Sequence, residues 1–137
     1  MLKISQVNVA RAERRFNEAE HDSAVFHASL AVESAANALI LKLGGDEAKN
    51  HKAISGLAAV IRRMRPDWLG EERCQQLLEK GREIQREIVH ARYPLKVADR
   101  WVTPMDYYTL EKARTIIDNA KSVIDGIRGY LAISSQT

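Results

Sequence analysis

Apolar residues recur at steps of three and four along the last third of the chain, and this spacing constrains the fold more than any other feature. The positions are Leu110, Ala113, Ile117, Ala120, Ile124, Ile127 and Leu131. Steps of three and four place side chains on one face of an α-helix, which repeats every 3.6 residues. The pattern predicts a helix from Pro104 to Leu131 that buries one long face in a helical bundle. Thr103 and Pro104 are typical of its capped start.

Four earlier segments also have helical spacing. They run from Ile4 to Glu20, Ser23 to Leu43, His51 to Met64 and Glu71 to Arg92. Glycine after the second and proline after the third and fourth are typical helix ends. The segment LKVADRWV, residues 95–102, is predicted to be a loop. We therefore predict one all-α domain over residues 1–137, an antiparallel up-and-down bundle of about five helices, with apolar faces broad enough for a homodimer.

Composition narrows the class of protein. Charged residues make up 28% and hydrophobic residues 45%, which is typical of an ordinary folded domain. The net charge of +3 permits a nucleotide or nucleic-acid partner without requiring one. The single Cys74 excludes an internal disulfide and a cysteine-rich metal site. The four histidines do not have paired metal-ligand spacing, so we expect no metal and no cofactor.

The N-terminus predicts the location of the chain. The segment MLKISQVNVARAERR lacks the apolar block of a signal peptide and becomes charged quickly. We also expect no apolar stretch that approaches the length of a membrane span. The expected location is the cytoplasm.

A basic row on the fourth predicted helix is the main candidate for chemistry. Its members are spaced four, four and three residues apart: Arg82, Arg86, His90 and Tyr93. Side chains at these steps lie one above another on a helix. Arg86 could hold a phosphate by paired hydrogen bonds, and an imidazole such as that of His90 can accept a proton near neutral pH. The alternative is a solvated face whose arginines pair with Glu79, Glu83 and Glu87.

Two other polar residues are candidates for supporting roles. Glu33 stands in the alanine-rich second helix, where it would either orient an arginine of the fourth helix or lie exposed. His51 opens the third helix, where a capping or loop-bracing role competes with ligand binding. Trp68 and Trp101, close to predicted helix ends, are interpreted as packing anchors.

The order of four segments resembles the HEPN domain family of bacteria and archaea. The segments are ARAERRFNEAEHDSAVFHASLAVESAANALILKLGG, NHKAISGL, QREIVHARYP and YYTLEKARTIIDNAKSVI, which together span nearly the whole chain. The RYP after the fourth helix is similar to one branch of that family. The resemblance implies an up-and-down helical bundle, usually a homodimer.

The resemblance also implies a range of activities. Many family members are ribonucleases, often toxins, with an arginine, four to six spacers and a histidine near the dimer cleft. Other members bind nucleotides, and many pair with a minimal nucleotidyltransferase. Here three residues separate Arg86 from His90, and seven separate Arg82 from His90. Neither pair has the family spacing, and the RYP branch commonly lacks the ribonuclease motif.

Three functional hypotheses follow. In the first, the chain binds a nucleotide or RNA phosphate through Arg82, Arg86, Arg92 and Tyr93, and acts with a nucleotidyltransferase partner. In the second, it is a metal-independent ribonuclease in which Arg86 stabilises charge and His90 takes a proton from a ribose 2′-hydroxyl. In the third, it is a structural interaction protein without a ligand.

Overall fold

A computed structural model of the chain describes residues 1–66 and 70–134. Trp68, one of the two predicted packing anchors, lies outside the described residues. The elements, in chain order, are α1 (Leu2–Asn17), α2 (His21–Lys42), α3 (Ala53–Met64), α4 (Glu71–His90), β1 (Leu95–Val97), β2 (Arg100–Val102), α5 (Pro104–Tyr107) and α6 (Leu110–Ser134). The predicted helical bundle is confirmed, with helix ends that lie within three residues of the predicted ones.

Helix α2 is the centre of the bundle, and the other five described helices all contact it. Helices α1 and α2 are antiparallel, as two contacts between them show. The Ser5 hydroxyl donates to the Ala31 carbonyl at 2.8 Å, and the Asn8 amide oxygen lies 3.2 Å from Nδ1 of His27. Buried alanines of α2, among them Ala28 and Ala35, leave room for neighbouring backbones to approach.

The apolar character of α2 corrects one expectation. Its 22 residues include a window with a mean hydropathy of 1.5, which is long and apolar enough to cross a membrane by length and composition. The expectation that no apolar stretch approaches that length is therefore wrong. In this structure 61% of the window is buried inside the bundle. A helix packed against neighbours on several sides needs apolar residues all round, which explains the composition.

The predicted helix from Pro104 to Leu131 is interrupted. Thr103 caps the start as predicted, and its hydroxyl accepts a hydrogen bond from the Asp106 backbone N–H at 3.3 Å. The backbone then extends at Tyr108, which separates α5 from α6. Tyr108 is buried, and its hydroxyl donates to a carboxylate oxygen of Glu87 at 2.5 Å. The extended backbone at Tyr108 thus directs the tyrosine side chain into the core, where its hydroxyl bonds to Glu87 of α4.

The segment predicted to be a loop is a β-hairpin instead. Strands β1 and β2 pair in antiparallel register, with Lys96 opposite Trp101. Ala98 and Asp99 both have a positive φ, as the two-residue turns that suit hairpin twist require. Among the described residues the two strands pair only with each other, and Trp101 remains 71% exposed. The interpretation of Trp101 as a packing anchor is therefore wrong.

An ion-pair cluster joins α1 to α6. The guanidinium of Arg114 donates to both carboxylate oxygens of Glu13, at 3.1 and 2.8 Å, and the Lys121 ammonium contacts the same carboxylate. Arg114, with help from Lys121, lowers the pKa of Glu13 from 4.5 to about 2. A depressed carboxylate pKa stabilises the fold above the pKa of the unfolded chain, and this contribution falls as pH drops towards the folded pKa.

We therefore expect Glu13→Gln to lower the free energy of unfolding at pH 7 by about 1 kcal/mol, after allowance for solvent screening. The deficit relative to wild type should shrink below pH 4.5 and approach zero near pH 2. Urea unfolding at a series of pH values measures it, with the exposed Glu18→Gln as the control. A deficit that stays constant down to pH 2.5 would contradict the role assigned to Glu13.

Candidate functional site

Arg82 and Arg86 lie in one groove between α3 and α4. The groove, hereafter the α3–α4 groove, is lined by Ser55, Glu79, Arg82, Glu83, Gln85 and Arg86. Both arginines are exposed, and each is one helical turn from the other. Towards the C-terminal end of α3, Arg82 also lines an adjoining groove with Arg62 and Arg65. Arg62 and Arg65 were not predicted to belong to a site, although the basic run RRMR at residues 62–65 indicates a positively charged surface.

The two guanidiniums are not paired with the carboxylates around them. In the described parts of the chain, no carboxylate lies within ion-pairing distance of Arg82 or Arg86. Glu87, one of the three partners that a solvated face would use, bonds to Tyr108. Two unpaired guanidiniums side by side are suited to a ligand that carries phosphate.

Arg92 and Tyr93 lie beyond the end of α4, apart from the α3–α4 groove. The Arg92 guanidinium carbon is 5.2 Å from the ring centre of Phe26 and 5.7 Å from that of Tyr93. Tyr93 remains 57% exposed. The predicted phosphate-binding residues therefore lie in two places. Arg82 and Arg86 line the α3–α4 groove, whereas Arg92 packs its cation against the aromatic ring of Tyr93 beyond α4.

His90 lies at the last turn of α4 and is not among the residues that line the α3–α4 groove. Its ring stacks on Tyr107, with 6.0 Å between centroids. Its Nδ1 is buried, and no described residue hydrogen-bonds to it. The role of His90 as a proton acceptor stays a prediction.

Glu33 and His51 form a pair that the sequence analysis did not connect. A carboxylate oxygen of Glu33 lies 2.9 Å from Nδ1 of His51. Neither alternative for Glu33 describes the structure, because its carboxylate is 20% exposed and pairs with His51 rather than with an arginine of α4. The pairing requires two left-handed residues, Asn50 and His51, with φ of 60° and 59°. No spacing rule in a sequence shows such a loop conformation.

Gln85 connects the first turn of α3 to α4. Its side-chain oxygen accepts a hydrogen bond from the Ile54 backbone N–H at 2.8 Å, and its nitrogen donates to the Ser55 hydroxyl at 3.2 Å. Gln85 lines the α3–α4 groove and also the small cavity that contains Glu33 and His51. Gln85 therefore lies between the small cavity that contains His51 and the arginine-containing groove. Gln85 was missed because its role depends on a contact between distant parts of the chain.

Comparison with known proteins establishes the family. The model of the HEPN domain matches residues 1–130. The chain belongs to the HEPN domain family. A protein of Methanocaldococcus jannaschii named "Putative toxin MJ1304" is 24% identical, over 95% of this chain and 90% of that protein. The crystal structure of TT1696 from Thermus thermophilus matches with a TM-score of 0.71 and 22% identity, over 93% of both chains. At that identity the structural match shows the HEPN-like fold alone.

We expect Gln85→Leu to lower the free energy of unfolding by about 1–2 kcal/mol, because the Ile54 N–H at the start of α3 loses its acceptor. Gln85→Glu keeps an acceptor oxygen and should lose less than half as much. Urea unfolding compares both with the exposed Gln76→Leu on the same helix. Equal stability of Gln85→Leu and Gln76→Leu would show that Gln85 does not fasten the two helices.

Proposed function

We propose that this HEPN-domain protein binds the phosphates of RNA or of a nucleotide in the α3–α4 groove. The observation that carries the proposal is the pair of guanidiniums of Arg82 and Arg86, side by side in one groove and without an ion-pair partner among the described residues. Guanidinium groups bind phosphate oxygens through two parallel hydrogen bonds, which an ammonium cannot do. The Ser55 hydroxyl in the same groove is a further hydrogen-bonding group for a phosphate or a sugar.

RNA is favoured over a single nucleotide by the extent of the basic surface. Arg62 and Arg65 continue the line of cations beyond Arg82. Successive cations along a groove suit a strand with successive phosphates. Arg92 and the exposed ring of Tyr93 at the end of α4 add a stacking surface of the kind that binds unpaired bases.

Two copies of the chain form the functional unit in this proposal. Large apolar side chains are exposed on the last turn of α4, the hairpin and the segment up to α6: Val89, Val97, Trp101, Met105 and Leu110. Exposed apolar side chains concentrated in one stretch of chain favour a protein interface. A second copy would cover them, as the family resemblance implies.

The biological setting that we propose is a toxin–antitoxin-like module in the cytoplasm. The supporting observation is the relative named a toxin, which matches over nearly the whole length of both chains. The family resemblance adds a minimal nucleotidyltransferase as the partner. Such a partner would control access to the α3–α4 groove or to the RNA bound there.

Sedimentation velocity with a fluorescein-labelled single-stranded 12-nucleotide RNA tests both the binding and the dimer. The RNA should sediment with the protein, and Arg82→Ala/Arg86→Ala should weaken binding by about tenfold or more. The charge-matched control Arg14→Ala/Arg128→Ala removes two exposed cations elsewhere. The unbound protein should sediment with twice the chain mass of 15.4 kDa.

Equal loss of binding in both double variants would contradict the groove, because it would show attraction to net charge alone. Absence of binding by wild type at low salt would contradict the proposed function. A protein that sediments as a monomer at all concentrations would contradict the dimer and leave the groove to be judged by the binding data.

A further inference from the structure

We propose that a second groove, where α3 ends and α4 begins, binds the terminal phosphate of an RNA strand. This groove, hereafter the end groove, shares Arg82 with the α3–α4 groove and is also lined by Arg62 and Arg65. The inference rests on the proposed RNA binding and names its substrate class. That class is single-stranded RNA that ends in a phosphomonoester.

The end groove has a surplus of positive charge that the α3–α4 groove lacks. Its three guanidiniums are accompanied by two carboxylates, those of Glu71 and Glu79, which leaves one cation in excess. In the α3–α4 groove, two guanidiniums are balanced by the carboxylates of Glu79 and Glu83. A terminal phosphate carries about 1.5 to 2 negative charges at pH 7, whereas an internal phosphodiester carries one. The extra charge of a strand end is therefore favoured in the end groove.

The three guanidiniums of the end groove keep their hydrogen-bond donors for a ligand. Among the described residues, no carboxylate lies within ion-pairing distance of Arg62, Arg65 or Arg82, although two carboxylates line the same groove. A terminal phosphate presents three free acceptor oxygens and an internal phosphodiester presents two. Three donors of fork geometry around one groove therefore match a strand end better than they match a phosphate within the strand.

The end groove also has room and an apolar surface for the nucleotide that carries the phosphate. Its volume is about 720 Å³, which is within the range of small-ligand sites. Buried side chains of Ala58, Cys74 and Leu78 line it, and a base or a sugar can pack against them. Burial raises the pKa of the Cys74 thiol, so this side chain is neutral at pH 7 and does not repel a phosphate.

The position of the end groove favours the end of a strand. The chain passes from α3 to α4 at this point, and Arg65 and Pro66, which follow α3, line the groove. A strand that runs along α4 from Arg86 past Arg82 therefore meets the connection between the two helices. Its terminal phosphate would lie among the three arginines there.

Arg65 has a backbone conformation that its side chain disfavours. It follows the last residue of α3 with a φ of 41° and a ψ of 60°, in the left-handed region. Glycine adopts this conformation without strain and is the usual residue at such a helix end. Arginine at this position adds strain to the fold and a guanidinium to the end groove. That combination is expected of a residue whose side chain serves binding rather than stability.

Fluorescence anisotropy tests the inference with the full chain and four single-stranded RNAs that are labelled on an internal nucleotide. Three share one 12-nucleotide sequence and have a 5′-phosphate, a 3′-phosphate or hydroxyl groups at both ends. The fourth is hydroxyl-ended and one nucleotide longer, so it carries as many phosphates as the phosphorylated RNAs. Wild type should bind one phosphorylated RNA at least about tenfold tighter than both hydroxyl-ended RNAs. The RNA that is favoured identifies which end of the strand is bound.

Single substitutions assign the preference to the end groove. Arg62→Ala and Arg65→Ala should each reduce it to about twofold or less, because each removes one fork of donors. Arg63→Ala removes the same charge from an exposed position on α3 that does not line the groove, and it should keep the preference. Arg86→Ala should weaken the binding of all four RNAs by the same factor and also keep the preference. Circular dichroism confirms that each variant is folded.

Arg65→Gly separates binding from folding. Glycine relieves the left-handed strain, so this variant should have a Tm at or above that of wild type. It should nevertheless lose the preference for a phosphorylated end, as Arg65→Ala does. A lower Tm with an unchanged preference would show that Arg65 serves the fold alone and would overturn its assignment.

The four RNAs distinguish this inference from the proposed function. Equal affinity of wild type for all of them would overturn the terminal-phosphate site and leave RNA binding in the α3–α4 groove standing. Absence of binding to any of them at low salt would overturn both. A preference that survives Arg62→Ala and Arg65→Ala would overturn the assignment to the end groove.

Discussion

The close packing of every described helix against α2 is the constraint on which the site depends. Buried alanines such as Ala28, Ala31 and Ala35 leave the surface of α2 flat, so that α1, α4 and α6 can all approach it. The Ser29 hydroxyl shows how close α4 comes, since it contacts the Ile84 carbonyl at 3.3 Å. With α4 held there, Glu33 on α2 reaches the same edge of the bundle as Gln85.

The contact between α3 and α4 then shapes the groove. A Cβ placed on Gly81 would lie 2.7 Å from Cδ1 of Ile54, so glycine at this position allows the two helices to approach each other. Gln85, one turn along α4, binds the Ile54 N–H. The same short stretches of α3 and α4 therefore provide both the packing and the hydrogen bond that hold the two walls of the groove together.

The parts of the fold that depend on local pattern were predictable from sequence. Apolar spacing predicted the helices, and Thr103 with Pro104 predicted the capped start of α5. The interruption at Tyr108 was not predictable, because it lies before the apolar spacing begins at Leu110 and the break depends on a buried hydroxyl meeting Glu87. The hairpin after α4 was missed because Ala98 adopts a positive φ that its residue type disfavours.

The candidate site was predictable only in part, because local spacing relates side chains within one helix and not between elements. Arg82 and Arg86 share one helix, so their spacing alone places them together. Glu33, His51 and Gln85 come from α2, a loop and α4, and their meeting depends on helix packing that no local pattern contains. The single helix that joins Arg86 to His90 suggested a pair, but the turn of α4 directs His90 towards Tyr107.

The most direct test of the account is a ¹H–¹⁵N NMR titration with a short RNA that carries 2′-O-methyl groups. Shift changes should concentrate on the Arg82 and Arg86 side chains and the Gln85 side-chain amide, which line the groove. Changes confined to the opposite surface formed by α1 and α6, or absent altogether at millimolar RNA, would contradict it.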